Sequence, residues 1–100
     1  MTSSATEARA PLAQRVVVTN DTLQVDLLDG RSLSVPLSWY PRLAQGSETE
    51  RQHWQLIGRG EGIHWPELDE DISVANLLAR LPSAETQESL KRWLSSRRAL

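Results

Sequence analysis

From Thr22 to Leu37 the chain reads TLQVDLLDGRSLSVPL, a pattern that few folds accommodate. Leu23, Val25 and Leu27 alternate with Thr22, Gln24 and Asp26, while Leu33, Val35 and Leu37 alternate with Ser32, Ser34 and Pro36. A period of two belongs to strands that bury one face, and two such runs around Asp29-Gly30 form an antiparallel hairpin. Directly opposed residues share a face, so the pattern also selects the loop length. A two-residue Asp29-Gly30 loop sets Leu27 against Ser32, apolar against polar. A three-residue loop of Leu28, Asp29 and Gly30 instead pairs Val25 with Leu33 and Leu23 with Val35. Gly30 then takes the left-handed position of a type I turn with a G1 bulge. Pro36 cannot donate to a ladder, so its nitrogen must face an open edge or the strand's end.

Upstream, RVVVT is rich in β-branched residues and reads as a further strand, turned by Asn20 and Asp21. Downstream, PLSWYPRLAQG reads as one short helical turn that Gly46 stops. Ser47 and Glu50 then make a capping box opening a helix toward Trp54. QLIGRGEGIHW reads as a second hairpin with Leu56, Ile63 and Trp65 apolar and three glycines in its loop. SVANLLARL reads as a helix capped by Ser73, with Val74, Leu77, Leu78 and Leu81 on one face and Pro82 as its breaker. SAETQESLKRWLSSRR reads as a last helix, acidic in its first turns and basic in its last, the order the helix dipole favours. The expected fold class is therefore α+β: a small antiparallel sheet built from hairpins, short helices packed on it, and a C-terminal helix. Residues 1–14 are expected to form a flexible lead-in, 15–82 a single domain and 83–100 a C-terminal helix or tail.

One hundred residues leave room for one thin core. With 39% hydrophobic residues, 24% charged residues and a net charge of −2, the chain is neither disordered in composition nor polybasic, and nothing global points to nucleic acid. The absence of cysteine excludes disulfides, thiol catalysis and zinc-thiolate sites. MTSSATEARAPLAQ has no apolar run of signal-peptide length, and nowhere do about 18 apolar residues follow one another, so a cytoplasmic protein without a membrane segment is expected. Four Trp, one Tyr and no Phe place most of the large apolar volume on rings with a polar handle, which favour half-buried positions.

Asp29-Gly30-Arg31, Pro36-Leu37, Trp39 to Leu43, Trp54, Gly62 to Val74 and Leu77-Leu78 together resemble a small bacterial family, domain of unknown function 2442 (DUF2442), over roughly residues 15 to 81. The resemblance implies antiparallel strands with short helices, and it brings no activity, cofactor or catalytic residue. Members of the family are often encoded beside another small uncharacterised protein in an arrangement like that of toxin and antitoxin. Some carry a separate helix-turn-helix domain; where it would sit, this chain has one terminal helix.

The densest stretch for chemistry is GIHWPELDEDISV, residues 62–74. Glu67, Asp69, Glu70 and Asp71 with His64 are ligand types for a divalent cation, but an EF-hand loop needs a central Gly and a Glu at its twelfth position, where DEDISVANLLAR has Arg80. No metal and no cofactor are expected. The acid run reads first as a strand-to-helix joint whose charge lies near the N-terminus of the Ser73 helix, and second as a partner-facing patch. His64 alternates with Ile63 and Trp65 and so lies on the opposite strand face, toward solvent or a partner. An acid/base role would need His53 or Asp69 within hydrogen-bond reach, and neither G-x-S-x-G nor H-E-x-x-H is present, so no catalytic residue is assigned and an enzyme is not expected. GRGEG has the glycines of a phosphate cradle, yet a strand rather than a helix follows it.

Trp39 and Tyr40 are adjacent and diverge on either a strand or a helix, so one of them meets the surface, where Arg42 extends the patch. Lys91, Arg92, Arg97 and Arg98 with Trp93 give the tail a basic, aromatic character, while Leu90, Trp93 and Leu94 form a narrow apolar stripe that must pack on the domain, a second copy or a partner. The expected function is a non-catalytic protein-interaction module, antitoxin-like in setting, that binds a small protein through Trp39, Tyr40, Arg42, His64, Trp65, Asp69, Glu70 and Asp71. The alternatives are a DNA-associated regulator using the basic helix, with a homo-oligomer as a further assembly, and a metal protein or enzyme built on His64 and the acid run.

Overall fold

A computed structural model describes residues 11–98; the first ten residues of the expected lead-in and the last two of the tail lie outside the described residues. The chain is α+β, as the alternations require, with its strands divided between two antiparallel three-stranded sheets. The first contains β1 (Ala13–Val18), β2 (Thr22–Leu27) and β3 (Ser32–Pro36) in the order β1-β2-β3. Leu23 faces Val35 and Val25 faces Leu33, the register that apolar matching selects. The Leu27 amide donates to the Arg31 carbonyl at 2.8 Å, closing a three-residue loop in which Gly30 has φ +95°. Pro36 ends the edge strand β3 and donates to no neighbour.

A 3-10 turn (Leu37–Trp39), α1 (Pro41–Gln45) and α2 (Glu48–Gln52) carry the chain to the second sheet. Gly46 ends α1, and α2 has the full capping box: Ser47 Oγ accepts from the Glu50 amide, and the Glu50 carboxylate accepts from the Ser47 amide. The second sheet contains β4 (Gln55–Ile57), β5 (Gly62–Trp65) and β6 (Glu70–Ser73), in the order β4-β5-β6. Gly60, at φ +114°, joins the two sheets: its carbonyl accepts from the Ala13 amide at 2.7 Å, and a Cβ there would lie 2.5 Å from the Ala13 carbonyl oxygen. Only glycine allows that approach.

One core serves both sheets. It takes Val16, Leu23, Val25 and Leu27 from the first, Ile63, Trp65 and Ile72 from the second, and Leu37, Tyr40, Leu43, Leu68, Val74 and Leu77 from the connecting elements. Trp65 is fully enclosed, and its indole Nε1 donates to the Arg51 carbonyl at 3.0 Å. That bond lets a ring with an N–H sit in the middle of the core without an orphaned donor.

Two helices depart from their expected bounds. Ser73 caps α3 (Val74–Leu78) by accepting from the Asn76 amide, but this helix stops before Pro82. Arg80 takes φ +62°, with its amide on the Leu77 carbonyl and the Leu81 amide on the Asn76 carbonyl, the bonds of a Schellman ending. Leu81 therefore leaves the apolar face and is 51% exposed. The last helix, α4 (Gln87–Arg98), begins four residues later than Ser83. Thr86 Oγ1 accepts from the Ser89 amide and caps it, while Ser83 is held to the body by donating its amide to the Trp39 carbonyl at 3.0 Å.

Candidate functional site

The acid run is a strand where a joint was expected. Glu70 and Asp71 begin β6, and Asp69 sits in the preceding turn at φ +50°. Trp65 opposes Glu70, His64 opposes Asp71 and Ile63 opposes Ile72. Because opposed residues share a face, Glu70 lies on the inward face with Trp65, Ile63 and Ile72, while Asp71 lies outward beside His64. His64 thus faces away from the core, as alternation requires, and its Nδ1 is paired with the Asp71 carboxylate.

Glu70 stands at the rim of the core on an edge strand, half-buried. Burial first, and then the negative charges of Glu85, Asp71 and Asp69, push its carboxyl up to about 7, against the opposing pull of Arg42. Its side chain makes no hydrogen bond or ion pair among the described residues. The neighbouring acids are committed. Asp71 is on His64, and Arg42 donates to Glu85 at 2.5 and 3.0 Å and to Asp69 through the backbone carbonyl at 3.0 Å and Oδ2 at 3.2 Å. A cleft of about 400 Å³ opens beside Glu70, between β6 and the segment Leu81–Ala84, with Tyr40 and Asn76 also in its lining.

The other expected contact residues divide by burial. Trp65 is enclosed in the core, and Tyr40 is 4% exposed, so neither ring stands out at the surface and Tyr40 reaches only the lining of the cleft. The reason is volume: with no Phe, a core of this size takes its large rings from Trp and Tyr. The Tyr40 hydroxyl donates to the Leu81 carbonyl at 3.1 Å, and burial followed by the charge of Glu70 holds the phenol above its ordinary range. Trp39 is half-buried against the core, and the Arg42 guanidinium is covered by Glu85 and by the Trp93 ring, whose centroid lies 5.1 Å away. Asp69 and Asp71 are the open members, with side chains 83% and 67% exposed.

The basic tail is partly spent on its own body. Arg97 donates to both oxygens of Glu50 at 2.9 Å and to the Glu67 carbonyl at 3.1 Å, and it lies 4.8 Å from the Trp93 ring centroid. Trp93 is therefore held between two guanidinium groups, Arg42 and Arg97. Glu88, Lys91 and Arg92 remain at the surface. In the GRGEG loop the Glu61 carboxylate accepts from the Arg59 amide at 2.8 Å, so a negative group already holds an amide that a phosphate would need. Among the described residues, no group of three or more His, Asp or Glu side chains is arranged to hold a metal ion, and no helix is long and apolar enough to cross a membrane.

A family model described as "Protein of unknown function (DUF2442)" matches residues 13–83. The chain belongs to the DUF2442 family. A crystal structure of a protein of unknown function from Rhodospirillum rubrum ATCC 11170 is similar to it at 25% identity and a TM-score of 0.67, over 77% of this chain and 95% of the other. No curated protein matches.

The DUF2442 match ends at the segment that leads into α4, so the Trp93 clasp is built largely from residues beyond it. Sequence reasoning missed the pairs Arg42–Glu85 and Arg97–Glu50, which join residues 43 and 47 positions apart. No local pattern encodes such pairs. The inward position of Glu70 did have a signal: in EDIS it stands two residues before Ile72, the spacing that puts both on one strand face.

Proposed function

We propose that this DUF2442 protein is a non-catalytic interaction module that binds a small basic protein, antitoxin-like in its setting, through the acidic surface formed by the β5–β6 turn and β6. The observation that carries this reading is the excess of carboxylate there: Asp69, Glu70 and Asp71 on adjacent positions, with Arg42 as the nearby guanidinium, itself engaged by Asp69 and by the covered Glu85. Asp69 and Asp71 are largely open to solvent, which suits electrostatic steering of a basic partner and selection against acidic ones. The test is native mass spectrometry of the protein expressed with its flanking reading frames, followed by affinity measurement on the complex. An Asp69→Lys, Asp71→Lys double variant should bind at least about tenfold more weakly with unchanged circular dichroism, since like charges facing each other across an interface cost several kcal/mol. Unaltered affinity in that variant would remove the acidic surface from the reading.

A further inference from the structure

The cleft beside β6 is more than an acidic surface. Its lining joins Tyr40, Ile72, Leu81 and Pro82 to polar groups that include Asp71 and Asn76, and Glu70 is the lining carboxylate without a partner among the described residues. A carboxylate on the inward face of a sheet is normally hydrogen-bonded or paired, because a charge removed from water and left uncompensated is costly. Here every neighbouring acid has its cation or hydrogen-bond partner while Glu70 has none, and the space next to it is open rather than filled by side chains. Apolar lining residues beside a carboxylate that has no partner suit a long aliphatic stem that ends in a positive charge. A planar guanidinium matches a carboxylate with both oxygens uncommitted, through two parallel N–H···O bonds. The molecule uses the same pairing within itself at Arg42–Glu85, where Nε and Nη2 reach the two oxygens.

We infer that this cleft receives an arginine side chain of the partner protein, its guanidinium forked onto Glu70 and its stem lying along Tyr40, Ile72, Leu81 and Pro82. The inference rests on the interaction-module reading and gives that surface its specific contact. Five groups bear on the charge of Glu70: Arg42 from α1, Glu85 from the segment before α4, Asp69 and Asp71 from its own strand and turn, and the Tyr40 phenol. Arg42 is the positive one, and its guanidinium is already held by Glu85 and Asp69. An incoming arginine therefore meets net negative charge. Since the Glu70 carboxyl is pushed up to about 7, binding should strengthen as pH rises from 6 to 8 and the carboxylate ionises.

The test uses the full chain, ¹⁵N-labelled, titrated with N-acetyl-arginine methylamide and, as a neutral control of similar shape, the corresponding citrulline amide. Saturable shifts at Tyr40, Ile72, Asn76 and Ser83 with the arginine probe, at least about fivefold weaker at pH 6 than at pH 8 as a carboxyl titrating near 7 dictates, would support the inference. Glu70→Gln, which keeps the shape and removes the charge, should abolish the difference between the two probes. Equal shifts from both probes, arginine shifts centred on the exposed Asp69, or arginine binding unchanged in Glu70→Gln would each overturn it. The two readings separate cleanly. A partner complex weakened by Asp69→Lys, Asp71→Lys but indifferent to Glu70→Gln sinks the arginine cleft and leaves the module. Arginine capture in the cleft with no protein partner found sinks the module and leaves the cleft.

Discussion

The two-sheet body and the helix α4 are held in place by different physics. In the body, residues from β1, β2, β5 and β6, from α1 and α3 and from the turns between them bury a shared apolar core, with β3 packed against it and the Trp65 ring completely enclosed. Against that body α4 packs Trp93 on the rim of the core and is otherwise fastened by side-chain clasps: Arg97 on Glu50, Arg42 on Glu85 just before the helix, and Trp93 between the two guanidiniums. Burial stabilises in proportion to area removed from water and is nearly indifferent to salt, whereas ion pairs near the surface are weak, screened and responsive to pH. The body should therefore unfold as one unit, and α4 should come away from it at much lower cost.

The largest effect is expected from Trp65→Ala, which removes an enclosed indole and strands the Arg51 carbonyl that it caps. The loss should be about 3 to 5 kcal/mol, a large share of the roughly 5 to 15 kcal/mol that stabilises a typical domain. Urea unfolding followed by far-ultraviolet circular dichroism measures it. A loss below about 1 kcal/mol would mean that the ring does not anchor both sheets, and the contrast between body and helix would lose its first term.

How far each region could be read from the sequence follows the same division. The β2–β3 hairpin was legible down to register, because Leu23, Val25, Leu33 and Val35 leave one pairing that keeps apolar against apolar, whereas β1 starts at Ala13, inside the expected lead-in, with a register shift against β2. The Ser47–Glu50 capping box was equally legible, being complete within four residues. β6 was not, since four residues rich in carboxylate carry little strand propensity and become a strand through pairing with β5. Trp65 and Tyr40 stand among the expected partner contacts yet fill the core, because which aromatic fills a core depends on the shape of the whole fold. Of the acidic site, Asp69 and Asp71 are open as composition suggests, while the distinct position of Glu70 depends on a register that long-range packing sets.

Glu70 gives an intermediate effect and sharpens the comparison, since it is a charge that the body accommodates poorly. Its folded pKa is raised, so between about 4.5 and about 7 the native state binds the proton more tightly than the unfolded chain. The associated stability is fully present below 4.5, declines as pH rises through that window, and is gone above about 7. Glu70→Gln, neutral at every pH, should therefore be more stable than the wild type at pH 8 by about 1 to 2 kcal/mol, after allowing for the part of the carboxylate that meets solvent, and should lose that advantage near pH 4. Thermal melts at the two pH values decide the matter. An advantage that is equal at both would show that ionisation of Glu70 is not what costs the body stability.

The smallest effect on stability, and the most telling for α4, is expected from Arg97→Ala. The change deletes both bonds to Glu50 and one face of the Trp93 sandwich, yet the pair is partly open to solvent, so the expected cost is about 0.5 to 1 kcal/mol. That is too little to move the melting transition of the body far, but enough to shift a marginal local equilibrium, so amide exchange should accelerate in α4 while β1 to β6 remain protected. Acid should act the same way. Glu50 is held below its ordinary 4.5 by the Ser47 amide and then by Arg97, and Glu85 by Arg42 and then by Ser89, so their contributions are present above 4.5 and lost as pH falls through the lowered values. Glu50 also completes the cap of α2, so acid exchange should appear there as well as in α4, whereas Arg97→Ala should spare α2. Were Arg97→Ala to lower the stability of the whole chain as Trp65→Ala does, α4 would belong to the cooperative core and its ion pairs would be incidental to its docking. Confinement of the exchange to α4 would instead assign its position to the Arg42–Trp93–Arg97 clasp, a contact that can open without disturbing the acidic cleft's own strand.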